Sequence, residues 1–192
     1  MEIILASASP RRRELFKLIT SDFKAVSTDA DETLPPDIPA LKAAEHLACI
    51  KAAAALEQFP NDIVIGCDTT VICGDAILGK PENKEQCRRF MEVLSDHTHQ
   101  VATGCCIMDS SGSVSFTSVT DVCFRKLTNE EIEAYISTDE PYDKAGGYGI
   151  QGKGALLIEK ISGDYFTVVG LPVSRLNTEL KEFLRNKNIS LR

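Results

Sequence analysis

Residues 63–67 read Ile-Val-Ile-Gly-Cys, an unbroken apolar run that ends on Asp68. A short run of this kind is consistent with a strand buried on both faces, and strands of that type sit in sheets that helices cover. No other segment constrains the fold as much, because the rest of the chain must then supply the covering helices. Residues 40–58 are alanine-rich and read as a long helix, while Cys87, Phe90, Met91 and Leu94 have the spacing of another. A strand at 2–6 passes through Ser7-Ala8-Ser9-Pro10 into a helix at about 11–19, with Ser9 as N-cap and Pro10 at the first helical position.

Further strands are expected at 71–73 and 76–78, flanking the hairpin signal Gly74-Asp75, and at 101–108 and 114–124. Thr128-Asn129-Glu130-Glu131 is a capping box that opens a short helix. Residues 156–161 and 165–169 are expected to form a hairpin around Ser162-Gly163-Asp164, and a last helix covers 174–185. Residues 29–39, acidic and proline-rich, and 140–154, glycine-rich, read as loops. Crossover and hairpin connections occur together, so the expected class is α/β, a mixed sheet flanked by helices. The 192 residues suit one domain, 1–192, built of two lobes.

Charge and cysteine content narrow the function. The net charge is −7, which disfavours general binding to nucleic acid or an anionic membrane. No apolar run approaches the ~20 residues that span a bilayer, and the apolar stretch at the N-terminus is too short for a signal peptide. Seven cysteines with no C-x-x-C pair argue against a disulfide framework and a structural zinc site, and fit a reducing cytoplasm. His97 and His99 lack a third ligand nearby and are not read as a metal site.

Several residues point to a bound anion. Arg11, Arg12 and Arg13 occupy the first turn of a helix, where positive charge is locally unfavourable unless an anion sits among them. Together with the Ser7 and Ser9 hydroxyls they suit a phosphate, although a solvated patch paired with Glu14 has the same spacing. Lys51 lies beside the apolar stripe formed by Leu47 and Ala55, so it either snorkels to solvent or meets an anion. Asp68 is expected at the end of its strand, where α/β sheets gather ligands, and otherwise caps the following turn. The loop carboxylates Asp29, Asp31 and Glu32 could share a Mg²⁺ with Asp68 and phosphate oxygens, and Gly79-Lys80-Pro81 brings back a further cation. The five glycines of residues 143–154 match neither a P-loop nor a dinucleotide fingerprint.

Taken in order, Ser7-Ala8-Ser9-Pro10-Arg11-Arg12, Asp31-Glu32, Lys51, Cys67-Asp68-Thr69-Thr70-Val71, Leu78-Gly79-Lys80-Pro81, Asp143-Lys144-Ala145-Gly146, Tyr148-Gly149-Ile150-Gln151-Gly152 and Val169-Gly170-Leu171-Pro172 resemble the Maf family of nucleotide pyrophosphatases. The resemblance spans nearly the whole chain. It implies an inosine triphosphate pyrophosphatase-like fold with two lobes around a central cleft. It implies Asp68 as the proton acceptor, Arg12, Lys51 and Lys80 facing a triphosphate, and Glu32 with Asp68 holding a divalent metal cation, Mg or Mn. Arg11, Thr69 and Gln151 resemble the branch acting on dTTP and UTP, and the residue after the aspartate differs in the branch for 7-methyl-GTP. Implied partners are a small-molecule nucleotide and a second copy in a homodimer, with no nucleic acid or membrane. The competing reading from another class is a non-catalytic nucleotide-binding regulator of cell division.

Overall fold

A computed structural model of the chain describes residues 1–187 and 189. The chain divides into two compact units, one of Met1–Asp68, Thr103–Ser118 and the segment from Gly170 onward, the other of Thr69–Ala102 and Val119–Val169.

In the first unit, β1 (Ile3–Ala6) pairs in parallel with β2 (Lys24–Val26) and with the start of β3 (Ile63–Cys73). Parallel neighbours need crossovers, and these are α1 (Pro10–Phe16) and α2 (Ala40–Gln58). The later halves of β5 (Thr98–Asp109) and the earlier half of β6 (Gly112–Phe124) extend the order to β2-β1-β3-β5-β6. Ser9 caps α1 by accepting from the Arg12 amide, with Pro10 at the first position. The helix ends at Phe16 rather than Ile19, and β2, only three residues long, lies in a stretch without strand periodicity.

Helix α2 lies unusually close to the sheet. Ala44, Ala48, Ala52 and Ala55 present a stripe of small, fully buried side chains. The strand positions beneath them are glycines. A Cβ on Gly66 would stand 2.0 Å from the Ala48 carbonyl oxygen, and one on Gly104 would stand 2.3 Å from that of Ala44. Alanine on the helix and glycine on the strands together set the depth at which α2 packs. Elsewhere in this unit, α6 (Val173–Arg185) buries Leu176, Leu180 and Leu184. Its Arg175 guanidinium lies over the Phe116 ring and donates to the Thr117 carbonyl at 2.8 Å.

In the second unit the far half of β3 turns back through Gly74-Asp75 into β4 (Ala76–Leu78), antiparallel as expected. Helix α3 (Lys84–Leu94) packs on α4 (Asn129–Ile136), whose Thr128–Glu131 capping box forms in full. Three short 3-10 turns, Pro141–Asp143, Ala145–Gly147 and Lys153–Leu157, occupy the glycine-rich stretch, and β7 (Ile158–Ser162) pairs antiparallel with β6. Val71, Met91, Leu94, Phe124, Tyr135 and Tyr148 belong to one apolar core.

Two expectations are corrected. Residues 165–169 are not the second arm of a hairpin but helix α5 (Tyr165–Val169). The Asp164 carboxylate accepts from the amides of Phe166 and Thr167 and from the Thr167 hydroxyl, which caps a helix start and overrides the β-branched and aromatic side chains that follow. Asp68 is also not at a strand end. Strand β3 runs unbroken through Asp68-Thr69-Thr70 to Cys73, so Asp68 neither terminates a strand nor caps a turn. Mixed pairing, with helices packed on the strands, is the α/β class expected. Among the described residues, no helix is long and apolar enough to cross a membrane.

Candidate active site

Strand pleating decides which side chains of β3 reach α2. Val64 packs with Ala48, Ala52 and Ala55, and Gly66 faces Ala48 and Ala52, so the even positions look toward the helix. Asp68 continues that face. Its carboxylate oxygen Oδ1 accepts from Lys51 Nζ at 2.5 Å. The same ammonium lies 3.0 Å from Oε2 of Glu32. Both Lys51 and Asp68 side chains are 13% exposed, whereas Glu32 is half exposed at 51%. Lys51 therefore does not snorkel; it meets anions, and the anions are two carboxylates of its own chain. Among the described residues Asp68 Oδ2 accepts no hydrogen bond.

Cys67 points to the opposite face, where its Sγ is 3.7 Å from that of Cys105 on β5. Its thiol is held below the ordinary range, first by its hydrogen bond with Cys105 and then, against its burial, by the charges of Arg12 and Lys51. Both cations therefore act on the segment around Asp68. Arg12 is anchored, its Nε donating to the Gly170 carbonyl at 2.8 Å and its Nη1 to Ser7 Oγ at 3.5 Å. Ser7, buried, follows directly on β1, whose last residue Ala6 pairs with Gly66. Arg11 is half-buried and Arg13 exposed, diverging as successive helical residues must.

The first unit thus brings together Lys51, Asp68 and Glu32, and joins Ser7 to Arg12. The other three sequence-predicted residues belong to the second unit. Thr69 is half-buried on β3, Lys80 is exposed after Gly79, and Gln151 is exposed in a turn closed by Gly152 N–H donating to the Gly149 carbonyl at 3.3 Å. Sequence reasoning missed Glu140 and gave Lys144 no role of its own, though these two residues organise this glycine-rich segment. Their signal was the spacing of Gly149, Gly152 and Gly154, positions where a Cβ would strike Lys144, Glu140 or the loop backbone.

His97 and His99 each have a partner within the chain. His97 lies beside the Ser95 carbonyl, while His99 is buried against Phe124 with Nε2 2.6 Å from the Tyr148 hydroxyl. Burial lowers the His99 pKa to about 4. Among the described residues no group of three or more His, Cys, Asp or Glu side chains is arranged for a metal ion.

A family model described as Maf-like protein matches residues 2–183. The chain belongs to the Maf-like family. A dTTP/UTP pyrophosphatase of Bacillus cereus is 45% identical to this Maf-like chain over 187 residues, covering 95% of each. A protein of the same name from Bacillus anthracis is 46% identical over 187 residues, again covering 95% of each. Among solved structures, the Ham1 protein of Staphylococcus aureus superposes with a TM-score of 0.59 at 16% identity, covering 95% of this chain and 100% of that one. A HAM1 protein from Coxiella burnetii does so at 0.56 and 16%, covering 95% and 99%. At that identity the likeness bears on the fold alone, and it agrees with the mixed α/β sheet.

Proposed function

We propose that this Maf-like chain hydrolyses dTTP and UTP to the monophosphate and pyrophosphate. The observation that carries the reading is the convergence of Glu32 and Asp68 on Lys51, in a chain 45% identical to a dTTP/UTP pyrophosphatase along nearly its whole length. A triphosphate resists attack because its oxygens repel the nucleophile and the departing pyrophosphate gathers charge. Arg12, Lys51 and Lys80 supply positive charge against both, with Arg11 and the Ser7 hydroxyl adding donors. Asp68 orients the attacking water and accepts its proton through the oxygen that Lys51 does not hold. Gln151 offers a donor and an acceptor to the imide edge of uracil or thymine, and Thr69 contributes to the same selectivity.

A divalent cation, Mg or Mn, fits the donor chemistry. Glu32 and Asp68 are hard oxygen ligands already close enough to share one cationic group, and phosphate oxygens complete such sets. Bound there, the metal would neutralise charge on the triphosphate and orient it.

The decisive experiment incubates UTP, dTTP, CTP, GTP and ATP with the protein and Mg²⁺ or Mn²⁺, and assays pyrophosphate and orthophosphate separately. Pyrophosphate from UTP and dTTP is expected, with the purine triphosphates poor. EDTA should abolish turnover without lowering Tm. Release of orthophosphate alone, or a preference for GTP or ATP, overturns the proposal.

A further inference from the structure

The segment after α4 is ordered around a single carboxylate. Glu140 Oε2 accepts from the Lys153 amide at 2.8 Å, and Oε1 accepts from the Gly154 amide at 2.9 Å and from the Tyr135 hydroxyl at 3.2 Å. Its backbone carbonyl accepts from Lys144 Nζ at 2.6 Å, and that ammonium, nearly buried, is also bonded to Asp143. Burial pushes the Glu140 carboxyl up, but the amide bonds from Gly154 and Lys153 outweigh it and hold the group ionised below its usual range.

The glycines are placed to let the chain pass this carboxylate. A Cβ on Gly152 would stand 2.2 Å from Glu140 Oε2, one on Gly149 would stand 2.7 Å from Lys144 Cε, and one on Gly154 would stand 2.6 Å from the Gly149 carbonyl oxygen. Gln151 therefore sits between two closures. The bond from Gly152 N–H to the Gly149 carbonyl closes the turn, and the Glu140 carboxylate grips the two amides that follow. Gln151 itself is exposed, so nothing in its own packing fixes its backbone.

We propose that Glu140 is a positioning residue for base recognition, its carboxylate holding the turn that presents Gln151. This rests on the reading of Gln151 as the residue that faces the pyrimidine. An amide discriminates between uracil and cytosine only if it cannot flip or retreat, because the two bases exchange donor for acceptor along the edge it meets. Glu140 opposes the retreat, through backbone bonds two and three residues away. It does not touch the base.

Glu140→Gln keeps the shape but leaves one oxygen to accept, and its NH₂ faces an N–H donor. The test compares kcat/KM for UTP and CTP in wild type, Glu140→Gln, Gln151→Ala and the double variant, with hydrogen exchange at the Lys153 and Gly154 amides and Tm. Glu140→Gln should release those two amides to exchange and lower the UTP-to-CTP ratio by about tenfold, since a small misplacement of a positioned group is costly. In the double variant the ratio should equal that of Gln151→Ala, because nothing remains to be positioned. Equal loss for both substrates, tracking Tm, makes Glu140 merely structural and overturns the proposal. A ratio that falls in Gln151→Ala but not in Glu140→Gln refutes the positioning role alone. A ratio unchanged in Gln151→Ala refutes the base-reading role and the proposal with it.

Discussion

Replacing Gly66 with alanine tests whether the depth of α2 matters to the chemistry. The added methyl would stand 2.0 Å from the Ala48 carbonyl oxygen and 2.8 Å from the Ala52 amide nitrogen, where real contacts stay above 3.0 Å. Both obstacles are backbone, so no side chain can rotate aside, and in an interior without slack the helix must retreat by about 1 Å. Overpacking of this kind costs about 1–3 kcal/mol, or roughly 3–10 °C in Tm for a chain of this size. Lys51 lies one turn beyond Ala48 on the same helix, so the retreat stretches its 2.5 Å bond to Asp68. Misplacement by that distance in a positioned site costs up to about 10²-fold in kcat. Gly104→Ala meets the helix at Ala44, about two turns from Lys51, and should cost similar stability with a smaller loss of turnover. The assay is kcat for UTP beside thermal melting, in both variants. A Gly66→Ala protein with wild-type kcat would refute the reasoning, and equal losses of turnover in the two variants would show that distance along the helix is irrelevant.

Asp68→Asn should fold normally and lose about 10²–10⁴-fold in kcat, the usual cost of a missing general base; near-normal turnover would move the base elsewhere, with Glu32 next. Lys51→Ala should reduce turnover out of proportion to Tm, measured on the same samples, and a parallel decline would make the Lys51–Asp68 pair a structural element only. His99 should make stability fall in acid. Burial lowers its pKa to about 4, so between about pH 6.5 and 4 the unfolded chain takes a proton that the folded chain refuses, and stability present above that window is lost on descending it, on the order of 3 kcal/mol in all. Urea midpoints at pH 7 and pH 4.5 should converge in His99→Gln relative to wild type.

What could be read from the sequence was whatever acts locally. The α2 limits were legible because an alanine-rich stretch sits between Pro39 and Phe59-Pro60, and the Ser9-Pro10 and Thr128–Glu131 caps were legible because a cap is a contact within four residues. Asp68, Glu32 and Lys51 could each be named, but their meeting at one ammonium depends on glycines at 66 and 104 seating a helix, which no spacing along the chain records. The apolar run stops at Cys67, so a strand end is expected at Asp68, ahead of Thr69 and Thr70. In the structure their β-branched side chains carry the strand onward. The start of α5 depends on the Asp164 carboxylate bonding two amides, and the role of Glu140 depends on bonds to backbone thirteen and fourteen residues away, neither of which leaves a periodic pattern in the sequence.

The alternation along β3 has a consequence for insertions and deletions. Carboxylate and thiol are adjacent in the chain and opposite in space, Asp68 toward Lys51 and Cys67 toward Cys105. Gaining one residue between Ile63 and Cys67 would turn the thiol to the lysine, and losing one would bury the carboxylate beside Cys105, with the strand still formed. A change of two residues would preserve the facing while moving the carboxylate along the helix axis. The segment tolerates no odd change in length, whereas the loop carrying Glu32 has no such parity, and natural or engineered length variation should be confined there.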